Sequence, residues 1–207
     1  MWSNKNYKML YANFGHNDMN YSANIPTSST FAAPAQDAFV IDGLRWLAGA
    51  APTDQPTDQI SQSSSFTVVN KGNGKCVDAR AAGTTNGTVI QQYSCNGTTA
   101  QQFQFQYVDG PYLRINSRNN TAESLDVTNR STADKAPIQL WSYTGGKNQQ
   151  WQLVPESSGA YRVVSRNSAP GQGHSECLTA PGSADSVQLQ QSKCDGSTAQ
   201  SFDLVAH

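Results

Sequence analysis

Asp126, Gln139, Trp141, Asn148 and Gln149 bring one carboxylate, three amides and one indole into the stretch SLDVTNRSTADKAPIQLWSYTGGKNQQWQL, residues 124–153. A carboxylate only accepts hydrogen bonds, an amide both donates and accepts, and an indole offers a flat apolar face. A ligand that uses all three is covered in hydroxyls yet apolar on one face of a ring, which describes a sugar. No single member carries the argument. Asp126 alone reads equally well as a turn-capping carboxylate, and Gln149 alone as an amide pairing buried backbone. Their coincidence in one short stretch is what points to a pocket.

Short strands cut by turns must position these groups. Leu125-Asp126-Val127 alternates apolar and polar, and Thr128 to Ala136 is rich in turn formers. Ile138-Gln139-Leu140-Trp141 alternates again, Thr144-Gly145-Gly146-Lys147 turns, and Gln149-Gln150-Trp151-Gln152-Leu153 closes the unit. The same order recurs three times from Phe66 to the end of the chain. Gln101-Gln102-Phe103, Gln149-Gln150-Trp151 and Gln200-Ser201-Phe202 form Gln-x-aromatic triplets. Each repeat opens on a strand that ends in Asn or Ser: Phe66 to Asn70, Tyr112 to Asn116, Tyr161 to Ser165. Next come Cys76-Val77-Asp78-Ala79, Ser124-Leu125-Asp126-Val127 and Cys177-Leu178-Thr179-Ala180. Third in order are Val89-Ile90-Gln91-Gln92-Tyr93, Pro137-Ile138-Gln139-Leu140-Trp141 and Leu189-Gln190-Gln191-Ser192. The triplet aromatics Phe103, Trp151 and Phe202 read as core plugs, because they alternate with polar residues. Repeats of four short strands cannot each stand alone, but closed on a pseudo-threefold axis they share one core and leave few free edges. The expected fold class is all-β.

Composition narrows the function. Charged residues make up 14% of the 207 residues and the formal net charge is −1, so no basic face invites nucleic acid. No apolar run is long enough to span a membrane, and no membrane insertion is expected. The Ser, Thr, Asn, Gln and Gly content suits an extracellular β module. None of the four cysteines, Cys76, Cys95, Cys177 and Cys194, lies in a CxxC pair, so a zinc or thioredoxin-like site is not expected, and no metal ligand is assigned. Catalysis finds no support either. A glycosidase needs two carboxylates flanking one bond, whereas Asp78 and Asp126 fall in different repeats. Gly72-Asn73-Gly74-Lys75 reads as a hairpin turn, since no helix pattern follows it. No catalytic residue and no cofactor is assigned.

On the threefold Gln-x-aromatic recurrence and the Asp/Gln/Trp set, residues 66–207 resemble the ricin-B-type β-trefoil lectins, carbohydrate-binding module family 13. The resemblance implies a β-trefoil that binds carbohydrate without converting it. By resemblance Asp126 and Asn148 bond neighbouring sugar hydroxyls, Trp141 stacks on the ring, and Gln149 holds the Asp126 carboxylate. The first repeat keeps Asp78, Gln91, Tyr93 and Gln101 but has Ala100 in place of the amide, and a partial site is expected there. The third has Thr179, Ser192 and Ala199 in place of acid, ring and amide, and is expected to be inactive. Galactose or N-acetylgalactosamine is the implied ligand, with xylan- or arabinan-type polysaccharide next.

Cys76 is expected to pair with Cys95 and Cys177 with Cys194, matching positions within two of the repeats. Other pairings would cross between repeats. The middle repeat replaces both members, with Ser124 and Tyr143. Two such bridges imply an oxidising, extracellular setting. Met1-Trp2-Ser3-Asn4-Lys5 lacks the apolar segment of a secretory signal, so any such signal is expected outside these residues.

Residues 1–49 stand apart. Lys8 to Phe14 reads as a strand, a loop runs through Pro26 and Pro34, and Ala35 to Ala48 reads as an amphipathic helix stopped at Gly49. On Phe14-Gly15-His16 and Gly43-Leu44-Arg45-Trp46-Leu47-Ala48-Gly49, this extension resembles the C-terminal end of the trehalose-utilisation-type, glutamine-amidotransferase-like α/β domains. One strand and one helix cannot bury a core, so the extension is expected to be the remnant of a larger domain. His16 and Asp18 are read as leftover loop, and His174 and Glu176 as surface residues. Residues 50–65, with Pro52, Pro56 and a polar run, read as a linker. The alternative reading makes the chain the targeting end of a larger glycan-processing enzyme.

Overall fold

The computed structural model describes residues 19–20, 25–26, 60–167 and 175–207. The chain divides into two compact units, residues 1–59 and 60–207. In the first, β1 (Met19–Asn20) and β2 (Ile25–Pro26) pair antiparallel, where the sequence reads as loop. The expected strand at Lys8 to Phe14, the helix at Ala35 to Ala48, His16, Asp18 and His174 lie outside the described residues.

The second unit is built from three rounds of four strands. The first holds β3 (Ser65–Asn70), β4 (Cys76–Ala79), β5 (Ile90–Tyr93) and β6 (Gln102–Asp109). The second holds β7 (Tyr112–Ser117), β8 (Glu123–Val127), β9 (Ile138–Ser142) and β10 (Trp151–Pro155). The third holds β11 (Tyr161–Ser165), β12 (Glu176–Thr179), a broken strand β13 (Val187–Gln188) and β14 (Gln190–Lys193), and β15 (Phe202–Ala206). The first and last strands of each round close a ring, β3–β6–β7–β10–β11–β15–β3, every pair antiparallel. Closure removes the free edges that would template aggregation. The hairpins β4–β5, β8–β9 and β12–β14 cap one end. This is a β-trefoil. Among the described residues the helical turns are all short 3-10 turns.

Side-chain alternation explains the core. Phe103, Trp151 and Phe202, the triplet aromatics, are fully enclosed and stand opposite Ser117, Ser165 and Asn70 in the barrel ladders. That register places Ser117, one residue after Asn116, as the true counterpart of Asn70 and Ser165. Asn116 instead accepts a 2.7 Å bond from the Ser124 hydroxyl, one residue along the chain from the triplet register. Ile90, Ile138 and Leu189, one from each cap hairpin, are likewise sealed from solvent. Their backbones interlock: Ile138 N–H donates to Leu189 O and Leu189 N–H to Ile90 O, both at 2.9 Å.

Side chains clasp one repeat to the next. Asn86 accepts from Ser142 N–H at 2.7 Å, Asp134 from Lys193 N–H at 3.0 Å, and Asp185 from Ser94 N–H at 2.8 Å. Both disulfides form as read, Cys76–Cys95 and Cys177–Cys194, closing separations of 19 and 17 residues. In the middle repeat the Tyr143 hydroxyl takes a 3.1 Å bond from Gln150, and the Arg114 guanidinium lies 4.8 Å from the centre of the Tyr143 ring. One expectation fails. Glu176 is fully buried in β12 rather than on the surface, because its strand lies between β11 and β14.

Candidate functional site

The cap hairpins set the acid position of each repeat against an amide. Asp126 lies opposite Gln139 in the β8–β9 ladder, Asp78 opposite Gln91 in β4–β5, and Thr179 opposite Gln190 in β12–β14. Directly opposed side chains in an antiparallel pair are close enough to bond. Gln139 accordingly donates to Asp126 Oδ1 at 3.0 Å, and Gln91 to Asp78 Oδ1 at 2.8 Å.

The first glutamine of each triplet does one job in all three repeats. Gln101, Gln149 and Gln200 accept the N–H of Asn96, Thr144 and Asp195 at 2.8, 2.8 and 2.9 Å. Their amides donate to the carbonyls of Ser94, Ser142 and Lys193 at 3.1, 3.0 and 2.8 Å. All three side chains are sealed from solvent. They staple the loop after the third strand to the 3-10 turn that precedes the last strand, and they do so even where the acid is missing.

In the middle repeat this frame presents a concave pocket of about 230 Å3, walled by Asp126, Gln139, Trp141 and Asn148 together with Asn129, Arg130 and Thr144. Asp126 is the floor and is nearly buried, whereas Trp141 leaves 40% of its surface exposed as a wall. Asn148 donates to Asp126 Oδ2 at 2.6 Å, so each carboxylate oxygen holds one amide and keeps a lone pair for a ligand. Burial raises the Asp126 pKa above its ordinary 3.8, while the Gln139 and Gln149 amides and the nearby Arg130 charge pull it partly back. The close bonds to the acid come from Gln139 and Asn148, with Gln149 adding a weaker amide interaction from beneath the pocket. Its side chain lies behind the lining and is placed to hold the loop.

Gly146 makes room for Asn148. A Cβ at Gly146 would clash with Asn148 Oδ1, so a larger residue there requires the Asn148 side chain to shift. The corresponding positions carry Thr98 and Ser197, next to Ala100 and Ala199 instead of an asparagine. The sequence reading saw Gly145-Gly146 only as a turn. It also passed over Asn129 and Arg130, which reach the pocket from a 3-10 turn with left-handed φ of 57° and 54°. Ala81 and Ala82 take the same conformation in the first repeat, at 55° and 53°. Two of the three repeats share this turn with different side chains, whereas the third has only Gly182 in the left-handed region there, at 85°. The recurrent left-handed pair has no glycine to announce it in the sequence.

The first repeat brings together Asp78, Gln91, Gln101 and a Tyr93 that is 36% exposed. Here Gln101 takes the second acid oxygen, donating to Asp78 Oδ2 at 3.1 Å, in the role Asn148 fills in the middle repeat. Arg80 donates to Gln91 Oε1 at 2.7 Å and to Ser186 O at 2.8 Å, which ties its guanidinium to the frame. In the third repeat Thr179 turns its hydroxyl to Cys177 O at 2.9 Å, and Gln190 donates to Ser192 at 2.9 Å. That repeat offers no carboxylate or ring at the corresponding places.

A closed barrel with three capped hairpins and one acid–amide–indole pocket defines a lectin-type β-trefoil. The family described as "Ricin-type beta-trefoil lectin domain-like" matches residues 55–141, 125–170 and 147–207, and the chain belongs to it. No curated protein matches the chain. Among solved structures, the designed threefold-symmetric protein ThreeFoil is 31% identical with a TM-score of 0.63, over 68% of this chain and 97% of its own. The exo-β-1,3-galactanase 1,3Gal43A of Clostridium thermocellum is 26% identical with a TM-score of 0.65, over 72% of this chain and 31% of its own. A ricin B-like lectin of Macrolepiota procera, solved with lactose, shares the fold at 16% identity and a TM-score of 0.57, over 71% of this chain and 98% of its own. Carbohydrate binding is the activity that this family membership carries.

Proposed function

We propose that the chain is a non-catalytic carbohydrate-binding module whose principal site is the middle-repeat pocket. The observation that carries this reading is the convergence of Asp126, Gln139, Trp141 and Asn148 on one concave surface, with both acid oxygens oriented by amides. Asp126 accepts from two neighbouring hydroxyls, Asn148 presents its remaining oxygen, and Trp141 covers the apolar face of the ring. The first repeat is a secondary site, limited by Ala100 and by an arginine already tied to the frame. The third repeat does not bind.

Galactose or N-acetylgalactosamine is the preferred sugar, with xylan- or arabinan-type polymers next. The likeness to a galactanase supports a galacto-configured ligand. Shallow sites of this kind bind at roughly 0.1 to 1 mM each, so two of them gain by avidity on polymers or clustered glycans. The two disulfides favour a secreted location. A second reading, in which the module targets a larger glycan-processing enzyme, is favoured by its similarity to under a third of the galactanase chain. In that case the residues 1–49 extension belongs to the preceding domain.

Titration of the chain with a monosaccharide panel, set against Trp141→Ala, tests the main reading. Binding to a hexose that Trp141→Ala removes, with an unchanged melting temperature, is the expected result. Binding by Trp141→Ala equal to the parent overturns it.

A further inference from the structure

The middle pocket holds one group that a neutral sugar does not require. Arg130 lines it, its side chain is exposed, and among the described residues it makes no close ion pair or side-chain hydrogen bond, acting on Asp126 only through its charge. Most other described arginines are committed. Arg80 is bound to Gln91 and Ser186, Arg114 to Gln106, Arg162 to Glu156, and Arg166 to Gln150 and Asp109. Arg130 is held in the pocket by its backbone, not by its side chain. Its carbonyl takes a 3.1 Å bond from Asn167, and its left-handed φ is fixed by a turn that the first repeat repeats with alanine. A turn shared with the first repeat therefore supplies the position, and the middle repeat fills it with a guanidinium.

We propose that Arg130 selects sugars bearing an anionic substituent, a carboxylate or a sulfate, on the part of the ring that faces the 128–130 turn. This rests on the reading of the pocket as a sugar site. The lining is polarised, with Asp126 as its one carboxylate and Arg130 as its one cation. Hydroxyls go to the acid, which repels an anionic group. The planar guanidinium offers paired donors that match a carboxylate or sulfate in charge and shape. Because Arg130 is exposed, the preference is modest and falls with salt.

The test is calorimetric titration of the whole chain, and of Arg130→Gln, with galactose, galacturonic acid and galactose 6-sulfate at low and high salt. The expected result is that at least one anionic sugar binds the parent about fivefold more tightly than galactose at low salt. High salt shrinks that ratio, and in Arg130→Gln it falls to about one at an unchanged melting temperature. Whichever anionic sugar shows the gain identifies the substituent. Equal affinity for galactose and both anionic sugars, or a preference that survives in Arg130→Gln, overturns the inference and leaves the sugar site standing. Failure of all three sugars to bind overturns both.

Discussion

The middle and third repeats share a skeleton and differ at the surface. Gln149 and Gln200 make the same pair of backbone bonds, Trp151 and Phe202 fill the same layer of the core, and both hairpins carry the same cross-strand register. Yet Asp126, Trp141 and Asn148 give way to Thr179, Ser192 and Ala199. The frame depends on the buried glutamine and the buried ring, so losing the ligand groups leaves it intact. A repeat can lose its sugar chemistry without losing its fold, because the two functions reside on different side chains.

The sharpest way to break this division is to exchange the roles of two tryptophans. Trp151 is fully enclosed and donates its indole N–H to Leu125 O at 3.2 Å, so Trp151→Ala is expected to cost about 3–5 kcal/mol. Melting and urea unfolding would register that loss, whereas Trp141→Ala should shift neither and remove sugar binding. If Trp141→Ala unfolds the chain, frame and site are not separable.

Next in size are the disulfides, which the middle repeat does without. Each closes a separation of 17 or 19 residues and is expected to contribute about 3 kcal/mol through the unfolded state. Replacing Cys177 and Cys194 together by serine should lower the melting temperature and leave binding in the middle repeat unchanged. A loss of binding there would show that the third repeat props up its neighbour.

Asp126 separates site from frame through pH. Asp126→Asn sets an amide against the donors of Gln139 and Asn148 and should weaken binding about tenfold or more. In the parent the folded-state pKa lies above 3.8, so the proton is held more tightly in the folded chain than in the unfolded one. The stabilisation linked to it is complete below 3.8 and is lost as pH rises through the folded value. Sugar binding runs the other way, since it needs the carboxylate, and should fade on acidification from a midpoint above 3.8. An affinity-against-pH curve with its midpoint at or below 3.8 would contradict this.

The smallest effect concerns Gly146. Its φ of −68° and ψ of 147° suit alanine, so only the contact with Asn148 Oδ1 is at stake. Gly146→Ala should change stability by no more than about 0.5 kcal/mol, read from urea unfolding, and weaken sugar binding a few-fold. Unchanged affinity would mean that Asn148 does not need its bond to Asp126.

Much of this was readable from the chain itself. The Gln-x-aromatic triplets announced three repeats, and strict alternation announced that Phe103, Trp151 and Phe202 point inward, because a period of two leaves each side chain only one face to occupy. The acid–amide–indole set of the middle repeat and its loss from the third were equally plain, since residue type alone decides whether a group can accept, donate or stack.

Folding decided what depends on proximity between distant residues. It tied Gln149 to the loop backbone beneath Asp126, aligned Ser117 instead of Asn116 with Asn70, and buried Glu176 between two strands. It also turned Gly146 from a simple turn residue into the space that Asn148 needs, and brought Arg130 to the pocket from a left-handed turn that no glycine marks. Local pattern fixes which face a side chain takes along its own strand. Only the closed barrel sets which groups from other strands and turns meet it there, and that meeting is where the chemistry lies.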